Sequence, residues 1–72
     1  MEKLEAGDYK VALGRRIRAL RTAQGISLRK FALMVGIDYG YLSNIETGKA
    51  NITVDLLAKI ADGLEVDLRD LF

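Results

Sequence analysis

Between Tyr9 and Ile37 the chain carries seven basic residues, Lys10, Arg15, Arg16, Arg18, Arg21, Arg29 and Lys30, and no acid. From Asp38 to Phe72 the balance reverses, with seven acids against three bases. The formal net charge of +1 therefore hides a basic half and an acidic half. Guanidinium and ammonium groups gathered on a small domain are an electrostatic footprint for a polyanion. The competing reading of such a run is a solvated helix face. Other chemistries are cut short by what is missing. There is no histidine and no cysteine. That removes the commonest general base, the commonest metal ligands and any disulfide. No pair of acids sits in a recognisable pocket motif. No catalytic residue, metal or cofactor is expected, and an enzyme is disfavoured.

The elements that must position the basic groups centre on Ser27 to Lys49, SLRKFALMVGIDYGYLSNIETGK. Two short helices with a tight turn between them account for this stretch. Ser27 is placed to cap the first and Asp38 the second. Val35-Gly36-Ile37 forms the turn, with Gly36 supplying a positive φ. Leu28, Phe31, Ala32 and Val35, then Ile37, Leu42 and Ile45, fall at helical spacing, so two apolar stripes can face each other. Ala32 is small where the helices would cross, and Gly48 is a stop for the second. Two helices joined by a short glycine-containing turn make a helix-turn-helix pattern.

The rest of the chain supplies helices to pack against this pair. At 72 residues it is one small domain, near the lower limit for folding without a staple, so stability must come from helix packing, alone or together with a partner subunit. Residues 1–8 read as a flexible lead-in and 9–72 as the domain. Asp8 is expected to cap a first helix from about Tyr9 to Gln24 with an apolar stripe of Leu13, Ile17 and Leu20. Thr53 caps a fourth helix whose apolar face is Val54, Leu57, Ala58, Ile60, Ala61 and Leu64. Asp67 caps a last helical turn from Leu68 to Phe72. The expected fold is all-α, a compact bundle of five short helices. No apolar run reaches the length of a membrane span and no secretory signal is visible, which points to a cytoplasmic chain with no membrane partner.

The segment from Leu13 to Phe72 resembles the Cro/C1-type helix-turn-helix domain of phage repressors and small bacterial regulators. The residues that carry the likeness are LGRRIRALRTAQGIS, LRKFALMVGI, YLSNIETGK and LLAKIADGLEVDLRDLF. The resemblance implies that the motif spans 28–47 and that its second helix, 38–47, lies in the major groove of double-stranded DNA. Base reading would then fall to Tyr39, Gly40, Ser43 and Asn44, with Thr47 at the end. The helical wheel agrees for most of them: with Leu42 and Ile45 inward, Gly40, Ser43, Asn44 and Thr47 face out. An Asn amide can pair bidentately with the N6/N7 edge of adenine, which makes Asn44 the foremost of these. Tyr39 is left between a DNA contact and surface packing, and Tyr41 is expected to pack.

Phosphate contacts are assigned by the same resemblance to Arg16, Leu28, Arg29, Lys30, Lys49 and Asn51. Leu28 stands where the family usually has a glutamine, so any contact there passes to backbone N–H groups, Arg29 and Lys30. Gly40 is a second departure, since a position without a side chain reads no base edge. A proline common in the family near Ile52 is absent. Arg21 and Glu46 are implied to pair and fix the angle of the reading helix, against the plainer alternative of a surface ion pair. Leu71 and Phe72 are candidates for a symmetric dimer contact, which would suit a palindromic operator. The leading expectation is a transcription regulator of the repressor type, similar to phage Cro-like repressors and restriction–modification controllers, acting on an operator or through RNA polymerase. The alternative is a protein-interaction module such as an antitoxin.

Overall fold

The structure is a computed structural model, and it describes residues 5–72. Four α-helices follow in order: α1, Ala6–Ala23; α2, Leu28–Val35; α3, Tyr39–Glu46; and α4, Val54–Leu64. The fifth expected helix is a single 3-10 turn, Leu68–Leu71. There is no strand among the described residues. Of the expected lead-in 1–8, residues 1–4 lie outside the described residues, and Ala6, Gly7 and Asp8 belong to α1. The helix begins earlier than expected because Asp8 is not its cap. It sits at the third helical position and accepts the Glu5 backbone N–H at 3.2 Å, with Glu5 as the cap.

The three later α-helices start at the expected caps. Ser27 Oγ accepts the Lys30 N–H, Asp38 Oδ2 accepts the Gly40 and Tyr41 N–H groups, and Thr53 Oγ1 accepts the Leu56 N–H. Each satisfies a donor that the first helical turn leaves without a partner. Gly36 closes α2 at φ 79° and turns the chain into α3. Gly48, at φ 77°, follows the end of α3. The close of α4 runs differently. Gly63 is helical, and Glu65 takes the left-handed conformation at φ 58°. A Cβ on Gly63 would come within 3.0 Å of Phe31 Cε1, so this glycine makes room for the core aromatic rather than ending the helix.

One core joins all five elements: Leu13 and Ile17, Phe31, Ala32 and Val35, Leu42 and Ile45, Leu57, Ile60, Ala61 and Leu64, and Leu71. Helix α1 packs on α3, α4 and the 3-10 turn, while α2 packs on α3 and α4. Of the expected α4 face, Val54 is 68% exposed and Ala58 is also exposed. Half-buried Leu56 and buried Leu57, Ile60, Ala61 and Leu64 make the inward face instead. Gln24, beyond the end of α1, donates from Nε2 to the Leu64 carbonyl at 2.7 Å and ties two helix ends together.

The approach of α1 to α3 depends on Gly14. A Cβ there would sit 2.6 Å from the Glu46 carbonyl oxygen and closer still to that of Ile45. No side chain fits, so the α1 backbone rests directly on the last turn of α3.

Candidate nucleic-acid interface

Helix α3 is eight residues long, and its inner face is filled by Leu42, Ile45 and Glu46. Its outer face follows from the helical period. Tyr39, Gly40, Asn44 and Thr47 are exposed and Ser43 is half-buried. The Asn44 amide has no hydrogen-bond partner among the described residues and stays free to pair with a base edge. Thr47 Oγ1 donates back to the Ser43 carbonyl at 3.0 Å, so that hydroxyl presents acceptor electrons outward. Gly40 is bare except for the Asp38 carboxylate, 3.0 Å from where a Cβ would be.

Glu46 is held from two points on α1, its backbone at Gly14 and its carboxylate at Arg21. Arg21 Nε donates to Glu46 Oε2 at 2.7 Å and Nη2 donates to Oε1 at 2.9 Å. Nη1 donates to the Ile26 carbonyl at 2.8 Å, which adds the α1–α2 loop to the junction. The two side chains are only 10% and 5% exposed. Hydrogen bonding to Glu46 holds the arginine above its ordinary pKa, against the opposing effect of burial, and the charge of Glu46 adds to the rise. This is a fork-to-fork pair, the geometry in which guanidinium and carboxylate fit best.

At the first turn of α3, Arg29 from α2 lies over the Tyr39 ring, its guanidinium carbon 4.8 Å from the centroid. The contact fixes an exposed aromatic beside a cation. Helix α2 itself starts on an uncharged cap, and Lys30 N–H alone is taken by Ser27 Oγ. Among the described residues the Leu28 and Arg29 N–H groups have no partner, and they lie at the positive end of the helix dipole, next to Arg29 and Lys30. The start of α3 is different, because the Asp38 carboxylate already occupies it. Lys49 and Asn51 are exposed beyond α3, and the Asn51 carbonyl accepts the Tyr41 hydroxyl at 2.8 Å. Tyr41 is thereby packed, as expected.

The arginines of α1 divide between two surfaces. Arg16 is directed toward the C-terminal end, where Nε donates to the Asp70 carbonyl at 2.8 Å. Arg18, about 200° around the helix from it, lines a depression with Leu28, Ser43 and Thr47. Arg18 and the paired Arg21 are therefore the α1 arginines brought to α3, and the sequence reading names Arg16 rather than Arg18 for a phosphate contact. The helical period separates the two residues, but only the packing of α1 says which of them faces α3. Of the two C-terminal residues, Leu71 is 1% exposed and belongs to the core, whereas Phe72 is 78% exposed. Together with Tyr9, Lys10, Ala12, Leu13 and Arg16 they line an open, mostly apolar groove of about 510 Å³.

The helix-turn-helix family model matches residues 17–71. Over 66 residues the chain is 36% identical to the control protein C.MunI of a Mycoplasma species, covering 90% of this chain and 89% of that protein. The fold matches the restriction-modification controller protein C.AhdI from Aeromonas hydrophila with a TM-score of 0.86 at 37% identity, over 90% of this chain and 97% of that one. It also matches SinR, described as the master regulator for biofilm formation and solved in complex with DNA. There the TM-score is 0.76 at 33% identity, over 82% of this chain and 95% of SinR.

Proposed function

The chain belongs to the helix-turn-helix family, and on that premise we propose that it is a sequence-specific regulator of transcription that binds double-stranded DNA with α3 in the major groove. The observation that carries this reading is the state of α3. Its inner face is locked to α1 through Glu46, and its outer face, with a free Asn44 amide, is uncovered and flanked by Arg18 and Arg29. Asn44 reads a base by its amide, and Tyr39, Ser43 and Thr47 add contacts. Gly40 brings the α3 backbone close, so part of the selectivity comes from DNA shape. The open N–H groups of Leu28 and Arg29, with Arg29, Lys30, Lys49 and Asn51, hold the phosphates on either side.

The domain, from α1 to the 3-10 turn, works as a symmetric dimer. Exposed Phe72 stands at the rim of an apolar groove on the same surface, a protrusion and a recess that two copies can exchange about a twofold axis. Two reading helices roughly 34 Å apart then favour a palindromic operator. Selection of bound sites from random duplex DNA tests the whole reading. Recovery of a symmetric consensus supports it, and recovery of no enriched sequence refutes it.

A further inference from the structure

We propose that Arg18 contacts a backbone phosphate of the DNA strand bordering α3, a role that rests on the DNA-binding reading above. The depression beside α3 holds about 230 Å³ and is lined by Arg18, Arg21, Leu28, Ser43, Glu46 and Thr47. Arg21 and Glu46 neutralise each other at its base. The remaining unit of positive charge is that of Arg18. Its guanidinium has no carboxylate or carbonyl partner among the described residues, whereas Arg16 is hydrogen-bonded to Asp70 and Arg69 to Asp67. An exposed, unneutralised guanidinium lining the same depression as two hydroxyl-bearing residues is a site for a phosphodiester oxygen.

The placement separates phosphate contact from base reading. Arg18 stands on α1, outside the helix that enters the groove, so it meets the wall of the groove rather than the floor. It also complements Arg29. Arg29 sits over Tyr39 at the first turn of α3, and Arg18 lies beside Ser43 and Thr47 in the second half. The reading helix thus has a cation at each end, each carried by a different neighbouring helix.

The test is the salt dependence of binding by Arg18→Gln, measured by fluorescence anisotropy on a random-sequence duplex and on a selected site. Each phosphate neutralised contributes about 0.9 to the slope of log K against log salt. The slope for Arg18→Gln should therefore be shallower by about one on both duplexes, and affinity near 0.1 M salt should fall about five- to tenfold. Lys59→Gln makes the same change in net charge on the exposed side of α4 and should leave the slope as it was. Thermal melting of each variant ensures that folded protein is compared. An unchanged slope for Arg18→Gln, beside a steep slope for the unaltered protein, overturns the Arg18 assignment and leaves the DNA reading standing. A loss confined to the selected site with no change in slope makes Arg18 a base reader and also overturns it. Failure of the unaltered protein to bind either duplex removes the DNA reading and this inference together.

Discussion

Arg21 and Glu46 meet through two hydrogen bonds of 2.7 and 2.9 Å in the junction where α1 crosses the end of α3. They lie 25 residues apart in the chain, and the pair fastens α3 to α1, the longest helix of the fold. Replacing Glu46 by Ala would leave the Arg21 charge buried without its partner. The expected cost is about 3–5 kcal/mol, a large share of the stability of so small a domain. Exchanging both residues for apolar side chains of similar size should cost much less than either single change. Urea midpoints for the two single variants and the double variant measure the difference.

The pH dependence of this pair has a definite sign. Glu46 raises the pKa of Arg21 above its ordinary value. Stability arising from that shift is fully present below the unfolded arginine pKa and is lost only as pH rises through the higher folded value. Both lie above the range of ordinary buffers, and the chain has no histidine. The melting temperature should therefore stay level between about pH 6 and 9. A fall of several degrees in that interval would show that another group governs stability.

Two glycines of α1 should respond in opposite directions to the same methyl group. Gly14→Ala drives a Cβ into the Ile45 and Glu46 carbonyls, so α1 and α3 must separate. Such overpacking costs about 1–3 kcal/mol or more, and DNA affinity should fall with it. Gly7→Ala meets nothing within 4 Å and should stabilise by up to about 1 kcal/mol, through helix propensity and a less free unfolded chain. Denaturant melts of both variants make the comparison.

Asn44→Ala should weaken binding to the selected operator by about 1–3 kcal/mol and leave affinity for random duplex nearly unchanged. Equal losses on both would remove Asn44 from base reading. Its side chain is exposed, so the melting temperature should not move.

Phe72 is exposed and Leu71 buried, so substitutions at the two positions separate the proposed dimer contact from the core. If the proposed dimer forms through this face, Phe72→Ala should dissociate it in sedimentation experiments with little change in monomer stability, because the ring is 78% exposed. Leu71→Ala should cost about 2–5 kcal/mol, since that side chain is 1% exposed. A Phe72→Ala protein that remains dimeric would place the interface elsewhere.

The parts of this architecture legible in the sequence are those decided by near neighbours. Ser27, Asp38 and Thr53 announce helix starts because a cap acts on N–H groups two or three residues away. Gly36 announces the turn for a similarly local reason. Asp8 misled because an acid at the third helical position looks like a cap when the true start is unmarked by Ser, Thr, Asp or Asn. The remaining surprises depend on tertiary packing. Nothing local marks Gly14 or Gly63: a Cβ at the first would meet the end of α3, and one at the second would meet Phe31. Arg16 and Arg18 are equivalent in composition and differ only in which neighbour α1 turns them toward. Val54 lies on an apolar stripe that the fold leaves partly in water.

Helices α2 and α3 are eight residues each, little more than two turns. Segments of that length do not persist as helices in water on their own. A synthetic peptide cut to residues 27–49 would retain Tyr39, Ser43, Asn44 and Thr47 yet hold none of them in register. Miniaturising this protein is therefore closed off, because the scaffold that keeps α3 in shape is nearly the whole polypeptide.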